Sequence, residues 1–321
     1  MPFNKQLESL SKILLQSDNP GALRNTVHQL HDLYSSLCGI NAGDITDDTI
    51  FLSTGKAISP ISAAHCLLEY KRTTVFFRGI YKAILNIQKS FPGEKINILY
   101  AGSGPYASLV TPLTSFFTAD ELSFDILDIS SVSLNAVKDL YTKLGLLSYV
   151  NSFIEADATK YRLNKDKVVH IVISETMNRA LEKEPLVHIM QNLIPQMKET
   201  SIFIPQSVKI TACISLPEKR GRPLMDEVLS ESELVGKVYT ISQADCNPSN
   251  YADIKIPEEV KKDKSLYLLT SINVFDDEEL QFHDCSLTLP KFISTTNDHA
   301  GKYANFEYIP DELPRFVYEI V

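Results

Sequence analysis

Two glutamates, Glu175 and Glu184, are the residues of this 321-residue sequence whose spacing points most specifically to chemistry. Glu175 directly follows the apolar run VVHIVIS at 168–174, which predicts a buried strand. Open α/β sheets bind their ligands at the carboxyl ends of such strands. If a hairpin-like loop joins the two glutamates, both carboxylates face one pocket, where a guanidinium between them would relieve their repulsion. The alternative is that residues 182–184 are the solvated start of a helix.

A second candidate site is the glycine-rich turn AGSGP, which follows the short apolar run INILYA at 96–101. Glycines allow backbone angles that a side chain forbids, and they let a ligand lie against the main chain. A dinucleotide fold favours a third glycine where this chain has Ala107, so the sequence favours an S-adenosylmethionine loop. An ordinary strand–helix turn is the alternative. The predicted cofactor-binding residues of the turn are Ala101, Gly102, Ser103, Gly104 and Pro105.

Two aspartates follow the next two predicted strands. Asp128 ends the run FDILD, where a carboxylate can accept hydrogen bonds from both ribose hydroxyls of a nucleoside. It could also cap the following helix, and the two roles are compatible. Asp157 follows the run at 149–156 and could accept a hydrogen bond from an adenine amino group, or it is a solvated loop acid.

Hydrophobic periodicity divides the chain into three parts. Helical spacing at 3–16 and 20–37 and from Ser59 to about residue 91 predicts a helical cap over 1–92. Residues 93–214 alternate strands with helices, which predicts a Rossmann-like α/β domain with a parallel sheet. Residues 215–321 contain short strand candidates separated by Pro, Asn, Asp and Gly, which predicts a β-rich domain.

The elements predicted after residue 93 are as follows. Strands are expected at 96–101, 122–129, 149–157, 167–175, 201–214, 236–242, 265–275, 285–294, 305–310 and 314–321. Helices are expected at 106–117, at 131–145 with Ser131 or Ser133 as the cap, and near 185–198.

Composition restricts the function classes. A net charge of −9 argues against nucleic-acid binding through a basic face, since basic residues cluster only at 71–72 and 218–222. The sequence has no apolar run of about 18 residues for a membrane span and no secretory signal at its start. Five scattered cysteines predict reduced thiols in a cytoplasmic protein, and the dispersed histidines predict no metal site.

The four candidate sites, in their order along the chain, resemble those of the class I S-adenosylmethionine-dependent methyltransferases and, more narrowly, of the protein arginine methyltransferase family. The resemblance covers about residues 59–216. That family has a double-glutamate loop that begins with Ser-Glu and has its second Glu nine positions later, as Ser174-Glu175 and Glu184 do here. The step Gly104-Pro105 is most similar to the symmetrically methylating branch. The run LLEYKRT at 67–73 is similar to a family helix ending in Arg-Thr.

The resemblance implies that Arg72 meets the carboxylate of the cofactor, the alternative being a surface arginine on an amphipathic helix. This chain departs from the family in its first sixty residues, in its shorter C-terminal part without a clear dimerisation arm, and in having no Trp for the family's Thr-His-Trp loop. The nearest candidate for that loop is QFHD at 281–284, and we expect His283 to be an ordinary strand or loop residue.

The sequence therefore predicts an S-adenosylmethionine-dependent methyltransferase that methylates a cationic nitrogen held between Glu175 and Glu184, with Glu184 as the base. The acceptor is a small molecule or a protein, and a homodimer is possible. One alternative is a small-metabolite methyltransferase of a biosynthetic pathway, which the unusual N-terminal part and the missing Trp favour. A catalytically silent binding module is a second alternative, and the intact glutamates count against it. A nicotinamide oxidoreductase is a third, which the glycine turn disfavours.

Overall fold

The computed structural model describes residues 2–41, 43, 49–216, 232–260 and 264–321; the basic cluster at 218–222 lies outside these described residues. The first two helices are α1 (Pro2–Gln16) and α2 (Pro20–Cys38), close to the predicted ranges. The side chain of Asn19 accepts a hydrogen bond from the Ala22 N–H at the start of α2, and Gly39 ends this helix with φ of +80°.

The segment before the central sheet contains a hairpin that the sequence did not predict. Its strands are β1 (Ile50–Leu52) and β2 (Gly55–Ala57), which pair antiparallel. Two helices follow, α3 (Pro60–Cys66) and α4 (Tyr70–Ser90), so the single long helix expected from residue 59 is divided at 67–69.

The central sheet contains five parallel strands, as the alternation of strands and helices predicted. They are β3 (Ile96–Ala101), β4 (Leu122–Asp128), β5 (Val150–Glu155), β6 (Ile171–Ser174) and β7 (Ile202–Ile204), in the order β5-β4-β3-β6-β7. Helices α5 (Ser131–Leu144) and α6 (Leu186–Leu193) connect them. Because β3 pairs with β4 on one side and β6 on the other, the strand order reverses at β3, which creates a ligand-binding crevice at its carboxyl end.

Two local predictions in this region are wrong. The helix expected at 106–117 is replaced by turns and a 3-10 helix at Thr111–Ser115, because Ala107 has a left-handed φ of +43° and Pro112 has no N–H to donate. Helix α5 is capped by Ser130, whose hydroxyl accepts from the Ser133 N–H, rather than by Ser131 or Ser133.

The strand expected at 201–214 is divided between two sheets. The chain leaves the parallel sheet after β7 at the cis bond Ile204–Pro205, and β8 (Ser207–Ser215) joins an antiparallel sheet. That sheet has the order β12-β11-β8-β9, with β13 pairing to β11, and a third sheet has the order β10-β14-β15. The strands are β9 (Glu233–Ser242), β10 (Tyr251–Lys255), β11 (Ser265–Phe275), β12 (Glu278–Leu280), β13 (Lys291–Thr295), β14 (Tyr303–Ile309) and β15 (Arg315–Ile320).

Short 3-10 helices occupy several of the connections. They are Leu147–Tyr149, Arg179–Leu181, Ile194–Gln196 and Ser286–Thr288. The last of these replaces the first half of the strand expected at 285–294, of which only β13 is a strand.

One continuous core joins the helical cap, the parallel sheet and the antiparallel sheets. Helix α4 is central to it, because Gly79 lets the helix approach β11 so closely that a Cβ there would lie 2.5 Å from Val274 Cγ1. The division into domains at residues 92 and 214 stays a prediction. No helix within the described ranges is long and apolar enough to cross a membrane.

Candidate functional site

A cavity of about 840 Å³ lies at the carboxyl ends of β3, β4 and β6. Ala101 and Pro105 are buried in the same turn but do not line the cavity. Eight of the ten predicted site residues line it, namely Arg72, Gly102, Ser103, Gly104, Asp128, Asp157, Glu175 and Glu184.

The glycine turn requires glycine at its first position. Gly102 has φ of +78°, and a Cβ there would lie 2.3 Å from Thr176 Cγ2. Its N–H donates to the Leu127 carbonyl at 2.8 Å, which fixes the turn to the end of β4. Gly104 has φ of +61°. The main chain of this turn is therefore exposed to the cavity without side chains that would fill it.

Asp128 ties the glycine turn to the start of α5. Its Oδ2 accepts from the Gly104 N–H at 2.8 Å, and its Oδ1 accepts from the Ser130 N–H at 2.8 Å. Burial raises the pKa of this carboxyl, and the backbone hydrogen bonds oppose the rise. Because a carboxylate accepts about four hydrogen bonds in all, Asp128 keeps accepting capacity for a ligand in the cavity.

Asp157 also lines the cavity, in a loop that contacts the β1–β2 hairpin. Its Oδ1 accepts from the Thr159 N–H at 2.9 Å and from the Thr159 hydroxyl at 2.7 Å. The hydroxyl of Thr54, at the hairpin tip, donates in turn to the Thr159 hydroxyl at 3.3 Å. The hairpin thus contacts the loop that carries Asp157.

Arg72 is buried and forms an ion pair with Glu175, which is 103 positions away in the sequence. Its Nη2 lies 2.6 Å from Glu175 Oε1 and 2.7 Å from Oε2. Its Nη1 lies 3.1 Å from Oε2 of Glu69. The positive charge that the resemblance assigns to a cofactor carboxylate is therefore also the partner of one of the two predicted acceptor-binding glutamates.

Glu69 is a residue that sequence analysis missed, although its position three residues before Arg72 on one helical turn was a usable signal. Its carboxylate accepts from the N–H and the hydroxyl of Ser286, both at 2.7 Å. Burial opposes ionisation, but the bonds from Ser286 and the charge of Arg72 hold the pKa of Glu69 below its usual value. This network links the N-terminal end of α4 to the C-terminal part of the chain.

The segment 175–184, called the acidic loop below, is held in an uncommon backbone conformation. Ala180, Leu181 and Lys183 have positive φ angles of 53°, 53° and 67°. The Ala180 N–H donates to the Thr270 hydroxyl at 2.9 Å, and the Leu181 carbonyl accepts from the Tyr308 hydroxyl at 3.0 Å. Such conformations persist only where neighbouring structure fixes them, and here the C-terminal sheets do so.

Glu184 lies before the start of α6 rather than within it, so the alternative of a solvated helix start is wrong. Burial raises its pKa to about 7, against the charges of Arg72 and Lys56 and together with that of Glu175. Burial also raises the pKa of Glu175, and Arg72 opposes that rise. Within the described residues, the Glu184 carboxylate has no hydrogen-bond or ion-pair partner.

Lys56 and Thr176 also line the cavity and were not predicted. Lys56 lies in a three-residue strand too short for a periodic pattern, so no sequence signal indicated it. His283 lies elsewhere, in a separate pocket of about 270 Å³ that Phe282 and Cys213 also line. In the described parts of the chain, no group of three or more His, Cys, Asp or Glu side chains could hold a metal ion.

No protein-family model and no curated protein matches the sequence. Among solved structures, the Trypanosoma brucei PRMT1 enzyme–prozyme heterotetrameric complex with AdoHcy aligns at a TM-score of 0.53 and 12% identity, over 79% of this chain and 90% of that chain. PRMT6 with SAH aligns at 0.55 and 9% identity, over 81% and 99%. A second PRMT6 structure aligns at 0.56 and 10% identity, over 81% and 98%. The chain therefore has the fold of the protein arginine methyltransferases, an α/β Rossmann-like sheet followed by a β-rich region.

Proposed function

We propose that this protein is an S-adenosylmethionine-dependent methyltransferase that methylates a cationic nitrogen. The observation that carries the proposal is the convergence of the glycine turn, Asp128, Asp157 and both predicted glutamates on one cavity at the strand ends. Two of the structural neighbours contain AdoHcy or SAH, the product form of this cofactor, in those proteins. The acceptor, a homodimer and a cytoplasmic location stay predictions.

The residues present fit this cofactor. The turn at Gly102 and Gly104 offers main chain for close approach, and the Asp128 carboxylate keeps accepting capacity for ribose hydroxyls. Asp157 would accept from the adenine amino group, and Arg72 would meet the carboxylate. When bound, S-adenosylmethionine supplies a sulfonium methyl group, which passes to an acceptor nitrogen as its bond to sulfur breaks.

Glu184 is the group of this chain best suited to hold the acceptor. Arg72 neutralises Glu175, whereas Glu184 faces the cavity without a partner among the described residues. Its carboxylate would bind the cationic nitrogen, orient it toward the methyl group and take up the proton that the nitrogen loses. Alignment of two bound reactants contributes at most about 7–11 kcal/mol to lowering the barrier.

Calorimetric titration with AdoMet and AdoHcy tests the cofactor. We expect binding by the native protein and a loss of at least tenfold in affinity for Gly102→Ala, whose Cβ would meet Thr176. Gly93→Ala is the matched control, since Gly93 has nearly the same φ, +79°, with no heavy atom within 4 Å of its Cβ. The additional change Thr176→Ser should restore part of the affinity. Absence of AdoMet and AdoHcy binding by the native protein would falsify the proposal.

Incubation with methyl-labelled AdoMet and, separately, a protein extract or a small-molecule extract tests the acceptor class. Label in either fraction supports methyl transfer. Label in the small-molecule fraction alone excludes the protein acceptor, and label in neither fraction by a protein that binds AdoMet favours the silent binding module.

A further inference from the structure

Lys56 places a positive charge on the wall of the cavity, next to the end of the acidic loop. Its backbone N–H donates to the Lys183 carbonyl at 2.6 Å, and its side chain is partly buried and lines the cavity. Among the residues that the structure describes, no carboxylate forms an ion pair with its ammonium group. The hairpin that carries Lys56 is itself fixed, because Gly55 packs against the backbone of residues 183–185.

The other charges of the cavity have partners. Arg72 forms ion pairs with Glu175 and with Glu69. Asp128 accepts two backbone N–H bonds. Asp157 accepts from Thr159 and lies 3.4 Å from Lys160 Nζ. Lys56 and Glu184 are therefore the two cavity charges that no described residue pairs with, and they are opposite in sign.

These two charges interact electrostatically but form no ion pair with each other, so both stay available to a ligand in the cavity. A cation on Glu184 alone would leave the Lys56 ammonium facing a second positive charge in a partly buried site, where like charges repel more strongly than in water. A ligand that carries both charges compensates Lys56 and Glu184 together.

We infer that the methyl acceptor is a small molecule with an anionic group, such as a carboxylate, beside its cationic nitrogen, and that Lys56 binds the anionic group. This inference rests on the proposed methyltransferase function and narrows its substrate class. Lys56 is then a specificity-determining residue, and Glu184 holds the nitrogen that is methylated. Because both side chains are partly buried, such a charge-assisted contact is screened less by water than an exposed one.

A panel of paired acceptors with labelled AdoMet tests the inference. L-Arginine, L-lysine, L-ornithine and L-histidine carry the carboxylate; agmatine, cadaverine, putrescine and histamine are their carboxylate-free counterparts. We expect at least one carboxylated compound to be methylated with a kcat/KM at least tenfold above that of its counterpart. The variant Lys56→Met should reduce this preference to less than about threefold by slowing the carboxylated compound, and Lys56→Arg should retain it.

The control variant is Lys209→Met, which removes an exposed lysine on β8 and should leave the preference unchanged. AdoHcy calorimetry on every variant separates this inference from the proposed function: if the native protein does not bind AdoHcy, the methyltransferase proposal itself fails. If it binds AdoHcy but methylates none of the carboxylated compounds, or prefers the carboxylate-free ones, the inference is overturned. It is also overturned if Lys56→Met weakens AdoHcy binding and slows both members of a pair equally, because Lys56 would then bind the cofactor.

Discussion

Glu184, the proposed cation-binding base, is a partly buried carboxyl in the wall of the cavity. Its pKa is raised to about 7, so it is about half ionised at neutral pH and mostly ionised above it. The ionised form both attracts a cation and accepts a proton, whereas the protonated form does neither. Activity should therefore follow the titration of this single carboxyl.

We expect kcat/KM to rise by about one log unit per pH unit up to about pH 7 and then to level off. In Glu184→Gln this rise should disappear, and kcat/KM at pH 8 should fall at least tenfold, which corresponds to about 1.4 kcal/mol of barrier. Initial rates between pH 5.5 and 9 measure both effects. Glu155→Gln, at an exposed strand end, should behave like the native protein, and a smaller loss than tenfold in Glu184→Gln contradicts the role.

The raised pKa of Glu184 also predicts how the stability of the fold changes with pH. The folded state binds this proton more tightly than the unfolded state, so the free energy of unfolding falls as pH rises from about 4.5 to about 7. Glutamine is neutral throughout that range. Urea denaturation should therefore show that Glu184→Gln gains stability relative to the native protein between pH 4.5 and pH 8. If the difference in unfolding free energy between the two proteins is the same at both pH values, the pKa of Glu184 is not raised.

Glu69 should be energetically coupled to Ser286 across 217 residues of sequence, since it accepts two hydrogen bonds from Ser286 and also contacts Arg72. In a double-mutant cycle with Glu69→Gln and Ser286→Ala, we expect a coupling of about 1 kcal/mol in the free energy of unfolding. In a control cycle that combines Glu69→Gln with Ser36→Ala in α2, the coupling should be less than about 0.5 kcal/mol. Equal couplings in the two cycles would mean that the Glu69–Ser286 contact does not form.

At the scale of elements, the β1–β2 hairpin contacts two of the loops that line the cavity. Thr54 contacts the loop of Asp157, Lys56 contacts the acidic loop, and Gly55 lies between them at φ of +136°. A Cβ on Gly55 would lie 3.0 Å from the Lys183 carbonyl oxygen, from the Glu184 carbonyl carbon and from the Pro185 nitrogen. These are backbone atoms, which cannot move without shifting Glu184.

Gly55→Ala should consequently cost about 1–3 kcal/mol in unfolding free energy and reduce kcat/KM at least tenfold. Gly93→Ala adds a side chain at positive φ in open space, so it carries backbone strain without a steric clash and should leave activity intact. Urea denaturation and initial rates on both variants separate strain from displacement of the acidic loop. Full activity in Gly55→Ala would show that the hairpin does not fix the loop.

Elements with long periodic patterns were predictable from sequence, and elements stabilised by distant contacts were not. The fully buried strand β6 lies in an apolar run, β4 was predicted to within one residue of its observed bounds, and β11 was predicted with its observed bounds. The hairpin was missed because its three-residue strands form no pattern and depend on the acidic loop for packing. The helix expected at 106–117 failed because left-handed Ala107 is a tertiary requirement of the turn.

The same distinction holds for the site. Cavity-lining residues at strand ends, such as Asp128 and Glu175, were predictable because parallel strands align their carboxyl ends. The pairing of Arg72 with Glu175 was not, because 103 residues separate them. Pairing within the cavity decides which charges stay available to a ligand, and it is set by the whole fold.

At the scale of the whole molecule, the C-terminal sheets act as the support of the acidic loop. Thr270 on β11, Tyr308 on β14 and the Pro314 carbonyl each bond to its backbone. The continuous core and the close packing of α4 on β11 make the parallel and antiparallel sheets mutually dependent. We therefore expect one cooperative unfolding transition rather than two, as the C-terminal part is needed for the geometry of Glu184.

Tyr308→Phe tests one of these contacts by itself, because it retains the ring and removes only the hydroxyl that donates to the Leu181 carbonyl at 3.0 Å. The side chain is 1% exposed, so the carbonyl is left without a partner, at a cost of about 1–3 kcal/mol in the free energy of unfolding. We also expect kcat/KM to fall, since the acidic loop loses a contact next to its positive φ angles.

The matched control is Tyr318→Phe, whose hydroxyl donates to the Ile293 carbonyl at 2.8 Å on a side chain that is 45% exposed. It removes the same group and bond type away from the acidic loop, and water can replace the lost bond, so both stability and kcat/KM should change little. Urea denaturation followed by circular dichroism, together with initial rates, measures both variants. If Tyr308→Phe lowers stability and leaves kcat/KM at the native value, the C-terminal sheets stabilise the fold without positioning Glu184, and the geometry of the acceptor site must then come from the hairpin alone.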